Sequence, residues 1–255
     1  MKKIIILVIW IAFTGQIKAQ NVINPIKNLV KSTYENNMFS YRFFSDYALI
    51  KNEIYEKKIM SDIDNTLSRF DNNLSYMTNF VSKDKNSQKH YMNLQLFWND
   101  YRILILDPDN VDYKTMSEKT NEFKKLNEEL SNSIIEKNKL DSSLKEQISA
   151  LNILVNLTNS IDQLLINYLY NNQYPEKDKL YKTDTKSISK QINKLAKTRY
   201  GRENKLIIND LNETLSLIES LYSSKNNSKQ MYSNTNYFSK KSFILMNRIL
   251  STIKK

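Results

Sequence analysis

Apolar side chains recur every three or four residues through most of this chain. Ile63, Leu67, Phe70, Leu74, Met77 and Val81 follow a 4-3-4-3-4 spacing, the seam of a helix packed in a bundle or coiled coil. Upstream, Phe39, Phe43, Tyr47, Ile50 and Ile54 extend that stripe with wider scatter. Asn24-Pro25 opens the segment with a capping side chain, then a proline where its missing N–H costs nothing. No glycine or proline interrupts it before Ser82, so the pattern predicts one very long first helix.

The polar run 82–87 predicts a loop, and a second helix follows over about 89–106, with Leu94, Phe97, Trp98, Tyr101 and Ile105 inward. Asp107-Pro108-Asp109-Asn110 ends it with turn chemistry. Thr115-x-x-Glu118 is a capping-box pattern that opens a third helix with Phe123, Leu126, Leu130 and Ile134 on its inner side. Ser143-x-x-Glu146 is a second such box. The stripe then shifts from Leu151 and Val155 to Ile161, Leu165 and Tyr168, which leaves 114–172 open between one helix and two.

A turn at 171–175 precedes a helix over roughly 176–199 that buries Ile188, Ile192 and Leu195. Gly201 stands where a left-handed C-terminal cap belongs. A helix over about 203–224, an asparagine-rich loop over 223–234 and a final helix over about 235–253 complete the pattern. Phe70, Leu74 and Met77 have the spacing of Ile188, Ile192 and Leu195, 118 positions on. That suggests an internal repeat, 24–112 and 141–224, followed by the C-terminal helix 235–255, although helical stripes imitate each other easily.

Composition supports helices almost throughout. The chain has two glycines, Gly15 and Gly201, three prolines and no cysteine. A sheet protein of this size needs many more turn residues, and without disulfides a hydrophobic core must hold the fold. The fold class expected is all-α: an antiparallel bundle of long helices, with two tandem four-helix-bundle-like repeats as its elaboration.

The first residues read MKKIIILVIWIAFTGQIKAQ. Two lysines, an apolar run from Ile4 to Phe13 and a small residue at Ala19 are the layout of a secretory signal peptide over 1–19. The run is too short for a membrane span, which needs about 20 apolar residues. The expectation is an exported chain, periplasmic or secreted, whose single elongated helical-bundle domain covers 20–255. Removing Lys2, Lys3 and Lys18 takes the formal charge from +11 to +8. The remaining lysines alternate with acids and form no basic stripe, so they read as solvated helix faces and not as a nucleic-acid surface.

Catalysis has little to stand on. There is no cysteine nucleophile, one histidine (His90) and no glycine-rich loop to cradle phosphate. Asp107, Asp109 and Asp112 miss the calcium-loop pattern, with Val111 at the third ligand position, and read as a turn. No metal and no cofactor is expected.

The segment Asn36–Tyr47 carries the candidate chemistry. Tyr34, Phe39, Tyr41, Phe43, Phe44 and Tyr47 crowd it; one helix face cannot take them all, so some must meet a second helix, a partner or water. Arg42 can grip an oxyanion through two parallel hydrogen bonds or pair along the helix with Asp46, four residues on. The stretch resembles the repeated motif of the PilJ/NarX-type sensor domain, the N-terminal periplasmic domain of type IV pili chemotaxis transducers and nitrate/nitrite sensor kinases. That motif runs roughly Asn-x-Ala-Gly-x-x-Arg-Met-Leu-Ser-Gln-Arg. Asn36, Arg42 and Ser45 match it; Phe39 stands for its glycine, Asp46 for glutamine and Tyr47 for arginine. In the weaker second copy, Asn156-Leu157 fits the start and Asp162 falls on the arginine position. Trp98-x-x-Tyr101-Arg102 is similar to the family's intervening Trp-x-x-aromatic helix.

The resemblance implies a periplasmic helical sensor for chemotaxis-type signalling, with a small ligand, an anion in the nitrate sensors, at Asn36, Arg42 and Ser45. It also implies a homodimer and a separate partner to pass on any signal. Beside this reading of a non-catalytic protein that binds a small ligand or an envelope protein stand two alternatives. One is a structural or adhesive protein of the envelope or cell surface; the other is peripheral membrane contact through the last helix.

Overall fold

The computed structural model describes residues 25–54, 57–140, 144–222, 224 and 227–253. The expected signal peptide, the Asn24 cap, the Ser143 end of the second capping box and the terminal lysines lie outside the described residues. The regular elements among the described residues are all helical: α1 (Pro25–Met38), α2 (Arg42–Lys51), α3 (Lys57–Val81), α4 (Lys85–Leu106), a short 3-10 turn (Pro108–Asn110), α5 (Tyr113–Lys137), α6 (Lys145–Gln173), α7 (Thr185–Ala196), α8 (Arg199–Glu203), α9 (Lys205–Tyr222) and α10 (Ser228–Ser251). The fold is all-α. None of these helices is long and apolar enough to cross a membrane.

The expected long first helix is three helices. The first break, at 39–41, needs no glycine or proline. A continuous helix would offer the Asn37 carbonyl to the Tyr41 N–H; here it accepts from Ser40 N–H (3.3 Å) and from Asn159 Nδ2 on α6 (3.3 Å). A foreign donor in the ladder is one of the few causes of a sharp helix break. The second break is a Schellman turn. Ile54 N–H reaches back to Leu49 O (3.0 Å) and Glu53 N–H to Ile50 O (2.9 Å), with Glu53 left-handed at φ 57°. A left-handed lysine, Lys139 at φ 50°, follows the end of α5, so 114–172 is not one continuous helix: α5 and α6 are separate among the described residues.

Other boundaries also move. Asp112 caps α5 through Thr115 N–H (2.7 Å), so Thr115 lies inside the first turn and does not open the helix. Residues 176–184 are irregular, and α7 starts at Thr185 because Asp184 accepts from Ser187 N–H (2.6 Å). The last helix begins at Ser228, inside the expected loop. Gly201 is not a left-handed cap. It sits within α8, where an added Cβ would lie 2.2 Å from Leu195 O and 2.7 Å from Ala196 Cα.

α6 sits at the centre of the packing, against α10, α2, α1 and α7. α1 packs on α3, α5 and α10 as well, and α2 on α4 and α5. The α1–α2 pair therefore lies between α3–α4–α5 on one side and α6–α10 on the other. This explains the crowd of aromatics: every residue from Arg42 to Ile50 is buried, as befits a helix enclosed all round. Phe43 meets Phe70, Trp98 and Phe123; Phe44 meets Tyr113 and Tyr181; Phe39 meets Phe243. The seam read from Ile63 to Val81 is buried in full. Phe70, Leu74 and Met77 are buried on a helix of 25 residues, and Ile188, Ile192 and Leu195 on one of 12. The apolar side of α10, with Met231, Phe238, Leu245 and Ile249, is committed to the core against α6 and α9.

Candidate functional site

Enclosure of α2 has a consequence: it carries two charged side chains, Arg42 and Asp46, into the interior. A buried charge is costly unless it is paired and hydrogen-bonded. Arg42 Nε lies 3.3 Å from Asp46 Oδ1, the pairing expected four residues along a helix. Its Nη1 lies 3.8 Å from Asp162 Oδ1 on α6. Its Nη2 donates to Tyr232 Oη on α10 (3.2 Å), and the guanidinium sits 5.3 Å from that ring's centroid. Tyr232 in turn donates to Asp62 Oδ2 on α3 (2.9 Å), which also accepts from Asn236 Nδ2 (2.8 Å). Four helices thus meet through one polar chain.

The charges do not balance. Asp46 and Asp162 are fully buried and share a single guanidinium. Neither oxygen of either aspartate has a protein hydrogen-bond partner, and Arg42 Nη1 and Ser239 Oγ lack one too. Burial pushes the Asp46 carboxyl up to about 6, against the opposing pull of Arg42. The Asp162 carboxyl, also beside Asp46, is pushed up to about 7. The guanidinium moves the other way from what burial alone would do, because the two carboxylates hold its proton more firmly.

Beside this cluster is a cavity of about 230 Å³. Met38, Phe39 and Arg42 form one wall; Asp62, Thr66 and Arg69 of α3 a second. Thr158 and Asp162 of α6 and Asn236, Ser239 and Phe243 of α10 close it. Arg69 lies at the exposed end, over the rings of Phe39 (5.2 Å) and Phe243 (4.8 Å) and paired with Glu35.

Of the three residues singled out by the motif, Arg42 lines this cavity. Ser45 instead donates to the Arg42 carbonyl (2.8 Å) and fixes the first turn of α2. Asn36 accepts from Asn73 Nδ2 (2.9 Å) on the α3 side. The structure does not bring the three together around one space. Sequence reasoning missed Asp62, Tyr232 and Asn236, which reach Arg42 from 20 to 194 positions away. One signal was present: Asp162 is the only charged residue from Ala150 to Tyr170, a stretch most of which is buried. An acid there has to be paired or functional. Of the acids of the 107–112 turn, Asp112 caps α5 and Asp107 accepts from the Asn110 side chain, Nδ2 (2.8 Å). His90 Nδ1 lies 3.4 Å from Glu129 Oε2.

No family model, no curated protein and no solved structure matches this chain.

Proposed function

We propose that this chain is an exported, non-catalytic helical bundle that binds a small ligand in the cavity beside Arg42, much as a periplasmic sensor domain does. The observation that carries the reading is the conjunction of a cavity with charged, buried side chains on its wall that carry polar atoms without a hydrogen-bond partner. Binding sites are concave, largely apolar and set with a few convergent polar groups, and buried polar groups are otherwise almost always satisfied. The aromatic stretch gives no support to an adhesive surface, since its six rings are internal. Export rests on the basic, apolar and small residues at the N-terminus; a processed protein beginning at Gln20 is expected.

A thermal-shift screen against small anions, amines and amino acids tests the binding reading. Ser239→Met reaches into the cavity without altering any charge. The variant should keep the helical circular-dichroism spectrum and lose the stabilisation that the wild type gains from its ligand. If no compound raises the wild-type Tm, or if the rise survives in the variant, the cavity is not a ligand site.

A further inference from the structure

We propose that the cavity accepts an organic cation, a small molecule whose ammonium group sits on the Asp162 side and whose apolar body lies along the wall formed by Met38, Phe39 and Phe243. The inference rests on the ligand-binding reading above and specifies the chemistry of that same site. It departs from the anion that the motif's arginine suggests.

Charge disfavours an anion. An anion entering here would meet Asp162 and Asp62 on the wall, with Asp46 just behind. Arg42, the one buried cation among the described residues, is already shared by two of these acids and bonded to Tyr232. Arg69 is engaged by Glu35 and by two aromatic rings, and Lys240, the third cation on the lining, is exposed to solvent and not buried with the acids. The buried cluster of Asp46, Asp162 and Arg42 carries a net negative charge when all three are ionised. What it lacks is positive charge: burial, with a smaller push from a neighbouring acid, holds both carboxyl groups above their usual range despite Arg42.

Hydrogen-bond type points the same way. The unpartnered atoms on and behind the wall are mostly acceptors: both oxygens of Asp162, both of Asp46, and Ser239 Oγ, which can accept or donate. An ammonium brings three donors and no acceptor. It would reach Asp162 from the cavity, 3.8 Å from the guanidinium on the other side, with a shift of the lining, because the two carboxylate oxygens are themselves buried. The rest of the lining suits a carbon skeleton: Phe39, Phe243 and Met38 offer an apolar wall, with Arg69 already lying over the two rings. A bare metal ion would use none of that wall. Among the described residues no group of three or more metal-ligating side chains is assembled.

Calorimetric titration of the full chain at pH 8 tests this with n-butylamine, putrescine, phenethylamine, L-phenylalanine, the neutral 2-phenylethanol and the anionic phenylacetate. At least one ammonium compound should bind, with phenylethanol and phenylacetate at least tenfold weaker than phenethylamine. Binding by L-phenylalanine at equal or greater strength assigns an amino acid; binding by the plain amines alone assigns an amine. Asp162→Asn should weaken binding tenfold or more while keeping the helical spectrum, and Ser239→Met should abolish it. If phenylacetate binds and the amines do not, and Ser239→Met removes that binding, the cavity is a ligand site but the cation inference fails. If calcium or sodium chloride alone reproduces the stabilisation, the organic cation is wrong as well. If nothing in the set binds, both the inference and the reading beneath it fall.

Discussion

Asp162 is a carboxylate with no protein donor, fully buried, 3.8 Å from a guanidinium that it shares with Asp46. Its proton balance therefore bears on the stability of the whole chain. In the unfolded chain both aspartates release their protons near the ordinary value of about 3.9. In the folded chain they hold them to about 6 and about 7. Between roughly pH 4 and 7 the folded state binds more protons than the unfolded one, so this pair's contribution to stability falls as pH rises, by up to about 1.4 kcal/mol per pH unit for each group. Asp162→Asn removes one group and leaves Arg42 and Asp46 as a one-to-one pair. The variant's stability relative to wild type should therefore improve from pH 5 to pH 8, as read by urea unfolding at each pH. A difference that stays constant across that range would mean that Asp162 is ionised throughout, or that it is solvated in a way its burial does not suggest. The Arg42–Asp46 half of this cluster was legible from a four-residue spacing. Asp62, Tyr232 and Asn236 were not, because a contact across 170 or more positions leaves no periodic trace in one sequence.

At the scale of elements, the stripes were informative where a helix has one buried face and misleading where the backbone turns without its usual punctuation. The face of α3 was readable because Ile63 to Val81 alternate against solvent-facing Asp64, Ser68 and Asn72. The breaks after α1, α2 and α5 were not. They depend on a donor from α6 in one case and on a glutamate and a lysine in a left-handed conformation in the others, which residue type alone does not announce. Gly201 is the converse: a residue that announces a turn and is used for close packing. An Ala in place of Gly within an exposed helix normally stabilises by about 1 kcal/mol. Here the new methyl would run into the backbone at the end of α7, at Leu195 O and Ala196 Cα, which cannot swing aside as a flexible side chain could. Gly201→Ala should therefore destabilise by about 1–3 kcal/mol, the usual cost of overpacking. Chemical denaturation decides between the two signs, and a variant more stable than wild type would return Gly201 to an ordinary helical position.

The whole molecule is organised around the α1–α2 segment, which contributes core to both sides. Phe43 packs against Phe70, Trp98 and Phe123 of α3, α4 and α5, while its own helix α2 packs on α6 and the adjoining α1 on α10. Two repeats that were each a self-sufficient module could unfold one after the other, and a lesion in the first would leave the second standing. A shared central segment predicts the opposite. Phe43→Ala removes a fully buried ring and should cost about 3–5 kcal/mol. Because α2 also supports α6, that loss should fall on the entire chain. In protein processed to begin at Gln20, Trp98 is the remaining tryptophan, and its fluorescence reports the α3–α5 side. Far-UV circular dichroism reports all helices together. The two probes should give coincident midpoints in wild type, the mark of one cooperative transition, and both should move down together in Phe43→Ala. If the Trp98 signal is lost first while about half of the helical signal persists to higher denaturant, the two sides are independent modules. The cavity beside Arg42 would then be a cleft between modules, open to changes in their relative position, and not a pocket held inside one core.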